Sequence, residues 1–262
     1  MRIVRRALGW ATALAILGAL TLLLWALARG RPQDLPWTPL DLGEPIGVMT
    51  GRKLAGLSRD GAACRTLLDR AGIRYTALPP RNQGAQCGFA DGVRFTRGGP
   101  RQIGLQPADV GVSCPVAATL SMWEWDVVQP AAQQVYGSRV VAIDHFGSYN
   151  CRRIYGRDSG TWSEHATANA FDVAGFRLAN GRRITVIGDW GSVDEGTGGD
   201  ASSDNVTLEQ SETDDARFLH RVRDGACRLF ATVLSPDYNA AHRNHLHLDQ
   251  AGRGALGGRA CR

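Results

Sequence analysis

Three of the six histidines fall within the run His242-Arg243-Asn244-His245-Leu246-His247. In a strand, His245 and His247 share one face, while Leu246 and Leu248 take the other. Two neutral imidazoles on one surface make half of a metal site, because ring nitrogens are good zinc ligands. A solvated strand face would show the same pattern. A second constellation, Ser163 to Asp172, sets His165 seven residues ahead of Asp172. Asp172 stands between Phe171 and Val173 in a segment suited to burial. A carboxylate there costs several kcal/mol unless it is paired or coordinated. A metal satisfies it, and so would an ion pair with Arg152 or Arg177. Three ligands of His/Asp/His type leave a fourth tetrahedral position for water. Zinc lowers that water's pKa to about 7 and polarises a neighbouring carbonyl, which is the chemistry of amide hydrolysis.

These residues need a scaffold to bring them together. The pattern predicts a short helix over 62–71 and a short strand over 93–95. A longer helix is predicted over 117–136, with Leu120, Trp123, Val127 and Val128 as its apolar stripe. The stripe is core packing, so Trp123 and Trp125 receive no functional role, and Pro130 is placed to kink the helix. Strands are predicted over 139–143, 169–176, 182–187 and 245–249, with a helix over 216–234. Residues 189–215 turn to Gly, Ser, Asp, Glu and Thr, which reads as a long acidic surface loop. The expected architecture is α+β, a mainly antiparallel sheet flanked by helices.

The formal charge of the 262-residue chain is +5, but Arg2, Arg5, Arg6 and Arg29 stand in a segment without acids, leaving +1 for the rest. The folded part is near neutral, so its basic pI gives no ground for nucleic-acid binding. Ala7 to Ala28 carries no charge and would rise roughly 33 Å as a helix, enough to cross a bilayer. With basic residues ahead of it, the expected topology is a single-pass inner-membrane anchor over 1–29 with everything after it exported to the periplasm. Ala26-Leu27-Ala28 leaves open cleavage as a signal sequence, with release into the periplasm. Residues 30–60, with Pro32, Pro36, Pro39 and Pro45, read as a linker, and 61–262 as the folded domain. Cys64, Cys87, Cys114, Cys151, Cys227 and Cys261 are dispersed beyond the anchor, which fits disulfides in an oxidising compartment and leaves their pairing open.

The pattern SxHxxxxAxD followed by HxH resembles the zinc peptidases that cleave D-amino-acid bonds in peptidoglycan, the Hedgehog/DD-peptidase group. The stretches CRxxYGR, SEHATANAFDV and PDYNAAHRNHLHLD more closely resemble the bacterial extensin-like C-terminal family, over most of residues 60–262. The chain contains no extensin-like Ser-Pro repeats. The resemblance implies Zn2+ held by His165, Asp172 and His247, with His245 beside the metal to stabilise an oxyanion. It also implies Arg152, with Arg153 as the near alternative, holding a scissile carbonyl or substrate carboxylate. The residues alone equally allow Arg152 as a structural partner of Asp172 or Asp144. Ser163 would orient His165, bind substrate or cap a turn. Carboxypeptidase members place a glutamate ahead of the HxH as general base; here Asp237 is the nearest acid. His242 instead completes the HxxHxH spacing of murein endopeptidases, in which a third histidine takes the base role. His145 and His220 match no motif position and read as structural. The expected function is hydrolysis of peptidoglycan stem peptides, and the alternative is a non-catalytic module that binds cell-wall peptides or an envelope partner.

Overall fold

The computed structural model of the chain describes residues 2–191, 212–252 and 258–262. An isolated helix, α1 (Arg2–Arg29), leads the chain; within it Val4–Leu23 is apolar and long enough to be a membrane span or a signal sequence. Next come α2 (Thr50–Gly56) and α3 (Gly61–Arg70), then β1 (Tyr75–Ala77), β2 (Arg81–Asn82), β3 (Gly88–Phe89), β4 (Gly92–Phe95), β5 (Gly104–Gln106) and β6 (Val112–Ser113). The second half holds α4 (Cys114–Trp123), a π-helical turn Glu124–Val128, α5 (Gln129–Tyr136), β7 (Val140–Gly147) and β8 (Ala170–Leu178). It closes with β9 (Arg183–Thr185), α6 (Val186–Asp189), α7 (Asp214–Ala226), β10 (Thr232–Leu234), β11 (Leu246–Asp249) and β12 (Ala260–Cys261).

The principal sheet runs β12-β10-β11-β8-β7-β5, with β9 on the far half of the β8 edge that β11 occupies. β5 on β7 and β12 on β10 are parallel, and the other pairings are antiparallel. The whole is a mixed α+β structure. Side-chain alternation gives the sheet two different faces. Phe171 and Val173 of β8 and Leu246 and Leu248 of β11 enter the core with Trp123, Phe176, Phe218 and Phe230. Each such side chain contributes about 1.5–3 kcal/mol by leaving water. Asp172, His247 and Asp249 therefore project from the opposite face.

Local signals explain most element ends. Asp60 caps α3 by accepting from the backbone N–H groups of Ala62 and Ala63. Ser113 caps α4, whose residues are all buried. The helix expected over 117–136 is interrupted by the π turn, because Pro130 brings no N–H to the ladder; it stops at Gly137, whose φ of 59° suits glycine. Gly225 lets α7 approach that turn, since a Cβ there would lie 2.2 Å from a Val127 methyl.

Three expectations need correction. The helix predicted to 234 ends at Ala226, and Thr232 to Leu234 form β10, where β-branched residues pair with β11 and Val233 is fully buried. The strand predicted over 182–187 gives way at Val186 to α6, which Thr185 caps through its hydroxyl. The proline-rich segment is packed rather than free, because Leu42 and Leu54 enter the core. Most of the acidic stretch expected as a loop over 189–215 lies outside the described residues. All six cysteines are paired, as Cys64–Cys114, Cys87–Cys151 and Cys227–Cys261.

Candidate metal-binding active site

Strand register builds the centre. His247 of β11 stands directly opposite Asp172 of β8, and Gly147 of β7 pairs with Asp172 from the other side. His165 arrives on a 3-10 turn, Glu164–Thr167, that Ser163 caps by accepting from the His165 backbone N–H. Of the roles expected for Ser163, this is the observed one, although Ser163 also lines the cleft.

The His247 Nδ1 lies 2.9 Å from Asp172 Oδ1, and the His165 Nε2 lies 3.1 Å from Asp172 Oδ2. The two ring nitrogens are 3.2 Å apart. A tetrahedral ion with bonds of roughly 2.0–2.1 Å needs donors about 3.3 Å apart. The outer nitrogens have acceptors of their own. The Ser148 carbonyl, 2.5 Å from His165 Nδ1, can only accept, so Nδ1 carries the hydrogen and Nε2 is left bare. The Asp249 Oδ2, 3.1 Å from His247 Nε2, accepts a hydrogen there, while Nδ1 faces the Asp172 carboxylate, which accepts a second one in the metal-free chain. With an acceptor behind each ring, both imidazoles can turn an electron pair toward a metal once the inward proton is displaced, the arrangement that orients metal-ligating histidines. Here the residues fit a divalent ion.

Electrostatics agree. Burial pushes the Asp172 carboxyl upward, but the close His165 and His247 imidazoles outweigh it and hold Asp172 well below the usual carboxylate range. Burial pulls His247 down, yet Asp172 and Asp249 overcome it and push the imidazole up to about 9. The centre attracts positive charge, supplied by a proton in the metal-free chain.

The cluster forms the floor of a cleft of about 670 Å³ whose walls include Arg152, Tyr155, Trp162, Tyr238, His242 and His245. His245 Nε2 stands 3.6 Å from Asp172 Oδ1. The His242 ring is centred 5.2 Å from that of His245 and 6.0 Å from that of His247. Burial, with His245 and His247 beside it, pulls His242 down to about 4, and burial also lowers His245. Both are neutral at pH 7.

The structural alternatives for Arg152 do not hold. Asp144 is taken by Arg177 and Arg183, and Asp172 by the two histidines. Among the described residues Arg152 forms no ion pair, and it lines the cleft. Arg153 is committed elsewhere, with its guanidinium 4.6 Å above the Trp162 ring and bonded to the Gly160 carbonyl. Asp237 is held by Trp190 and Arg223. His145 bonds to the Pro107 carbonyl and His220 to Glu212, consistent with structural roles.

Sequence reasoning missed several participants. Asp249 sits two residues beyond His247, on the same strand face, so its spacing could have identified it. Glu164 lines the cleft with Oε2 accepting from Asn169 Nδ2 at 2.7 Å. Ser148 acts through a carbonyl, which leaves no signal in side-chain identity. Tyr155 and Asn239 come from separate loops, and no spacing rule links them.

The family model for the extensin-like protein C-terminus matches residues 62–262. The chain belongs to that family. Searches of curated proteins and of solved structures return no significant match. The family match begins just after the N-cap of α3 and takes in every cleft residue named here.

Proposed function

We propose that this extensin-like domain is a zinc-dependent peptidase or amidase of the Hedgehog/DD-peptidase kind, acting on peptidoglycan stem peptides or their cross-links. The observation that carries this reading is the convergence of His165 Nε2, Asp172 and His247 Nδ1 at the floor of an open cleft, with both outer ring nitrogens held by acceptors. When bound there, Zn2+ would supply Lewis-acid activation of a water and of the scissile carbonyl. His165, Asp172 and His247 would hold it. Arg152, which forms no ion pair among the described residues, would bind the carbonyl or a carboxylate of the substrate. His245, whose Nε2 faces the cluster, would stabilise the developing oxyanion once that nitrogen has taken up a proton. His242, neutral and close to His245, would take a proton from the attacking water and pass it to the departing amine. The apolar N-terminal helix and three disulfides support a periplasmic domain tethered to the inner membrane.

One observation favours a second reading, a non-catalytic module that binds cell-wall peptides or an envelope partner. His242, drawn down to about 4, is a weak base at neutral pH. The full-length chain and His247→Ala, compared for zinc content and muropeptide cleavage, decide between them. The enzyme reading expects stoichiometric zinc and new products, both lost in the variant. Zinc without products would leave the binding module, and no zinc in either protein would overturn both metal-dependent forms.

A further inference from the structure

The cleft wall facing the cluster carries a small network around His242. Asn239 Oδ1 lies 3.0 Å from the Ala241 backbone N–H and 2.8 Å from His242 Nδ1. A backbone N–H can only donate, so the atom it meets is the oxygen and the orientation of the Asn239 amide is settled. The His242 Nδ1 that meets the same oxygen must then carry a hydrogen, which leaves His242 Nε2 as a bare acceptor. The other end of the amide is fixed in turn. Asn239 Nδ2 donates to the Tyr155 hydroxyl oxygen at 2.9 Å. Because that oxygen accepts, its own hydrogen is free to turn into the cleft that Tyr155 lines.

Tyr155 is held for this purpose by an uncommon backbone. Its φ of 58° lies in the left-handed region, which bulky side chains rarely adopt, and Gly156 follows with φ 67°. The surrounding loop is pinned by the Cys87–Cys151 disulfide and by a bridge between Arg153 and Trp162. The Tyr155 and His242 rings are centred 6.4 Å apart.

We propose that Asn239 is a positioning residue that holds His242 in its Nδ1–H form and turns the Tyr155 hydroxyl outward, so that the wall offers a donor and an acceptor to one substrate amide. This deepens the hydrolase reading and rests on it for the identity of the ligand as an amide. The tautomer is set by the protein alone.

Long-range 1H–15N spectra of the full-length, metal-free chain in detergent, with 15N-histidine at pH 8, read the tautomer directly. His242 is assigned by the signal lost in His242→Gln. The expected wild-type form is Nδ1–H. Asn239→Ala should give an Nε2–H or mixed form, while Asn239→Asp, which keeps the acceptor oxygen, should retain Nδ1–H. An Nε2–H wild type, or an unchanged tautomer in Asn239→Ala, would overturn the positioning role. On muropeptides, Tyr155→Phe should raise KM several-fold with kcat nearly constant, and an unchanged KM would overturn the donor half. If the wild type cleaves nothing while His242 shows the stated tautomers, the hydrolase reading fails and the positioning role of Asn239 stands.

Discussion

Glu124 and Asp172 are both buried carboxylates, 1% and 9% exposed, but their surroundings differ in kind. Glu124 is closed by a fixed cation. Its Oε2 lies 2.9 Å from Arg101 Nε, and its Oε1 accepts from the backbone N–H groups of Gln102 and Ile103. An arginine cannot give up its charge, so the cation at that site is permanent. Asp172 meets two imidazoles instead, and the inward proton that His247 carries can be exchanged for a metal. The positive charge at Glu124 belongs to the fold; at Asp172 it is replaceable. A buried carboxylate therefore points to chemistry only when its partners are themselves exchangeable.

Substitutions test this contrast. The largest effect is expected from Asp172→Ala, which should reduce zinc retained on dialysis from about one ion per chain to none, read by elemental analysis. Glu124→Ala should leave zinc content unchanged but destabilise the fold by about 3–5 kcal/mol, because Arg101 is left buried without compensation. Its denaturant midpoint measures that loss. Equal loss of zinc in the two variants would erase the distinction. Asp249→Asn, which removes the charge behind His247, should weaken zinc affinity by about 10–100-fold in competition with a chromophoric chelator. The smallest effect belongs to a third carboxylate, Asp144. It is shared by Arg177 and Arg183, so Arg183→Ala, at a largely exposed side chain, should cost no more than about 1 kcal/mol in thermal unfolding.

The contrast was only partly visible in the sequence. Period-two alternation in Phe171-Asp172-Val173 and His245-Leu246-His247-Leu248 separates the core face from the chemical face, and the strands obey it. The opposition of Asp172 and His247 depends on register between segments 75 residues apart, which no local pattern encodes. The disulfide pairing was undetermined for the same reason. The sequence hides β10 because Leu229 and Phe230 continue the apolar content of α7 past its end, whereas pairing with β11 decides the strand. The segment 30–60 read as a linker because prolines mark turns, yet its leucines had a core to enter. Tyr155, Asn239 and the Ser148 carbonyl depend on loop geometry, where residue identity carries little information.

Protonation separates the two carboxylates most directly. In the metal-free chain His247 keeps its extra proton up to about pH 9. That proton stabilises the folded chain fully below about pH 6.5, the unfolded imidazole value, and the contribution is lost as pH rises through about 9. Zinc entering at pH 7 must expel it, so apparent affinity should rise about tenfold per pH unit between 7 and 9 and then level off. The decisive measurement is calorimetric titration of Zn2+ into the metal-free, full-length chain at pH 7, in two buffers of different ionisation enthalpy. The predicted result is one site that releases about one proton and is absent in Asp172→Ala. Absence of binding, or binding that survives Asp172→Ala, would contradict the assignment of Asp172 as the centre of the site.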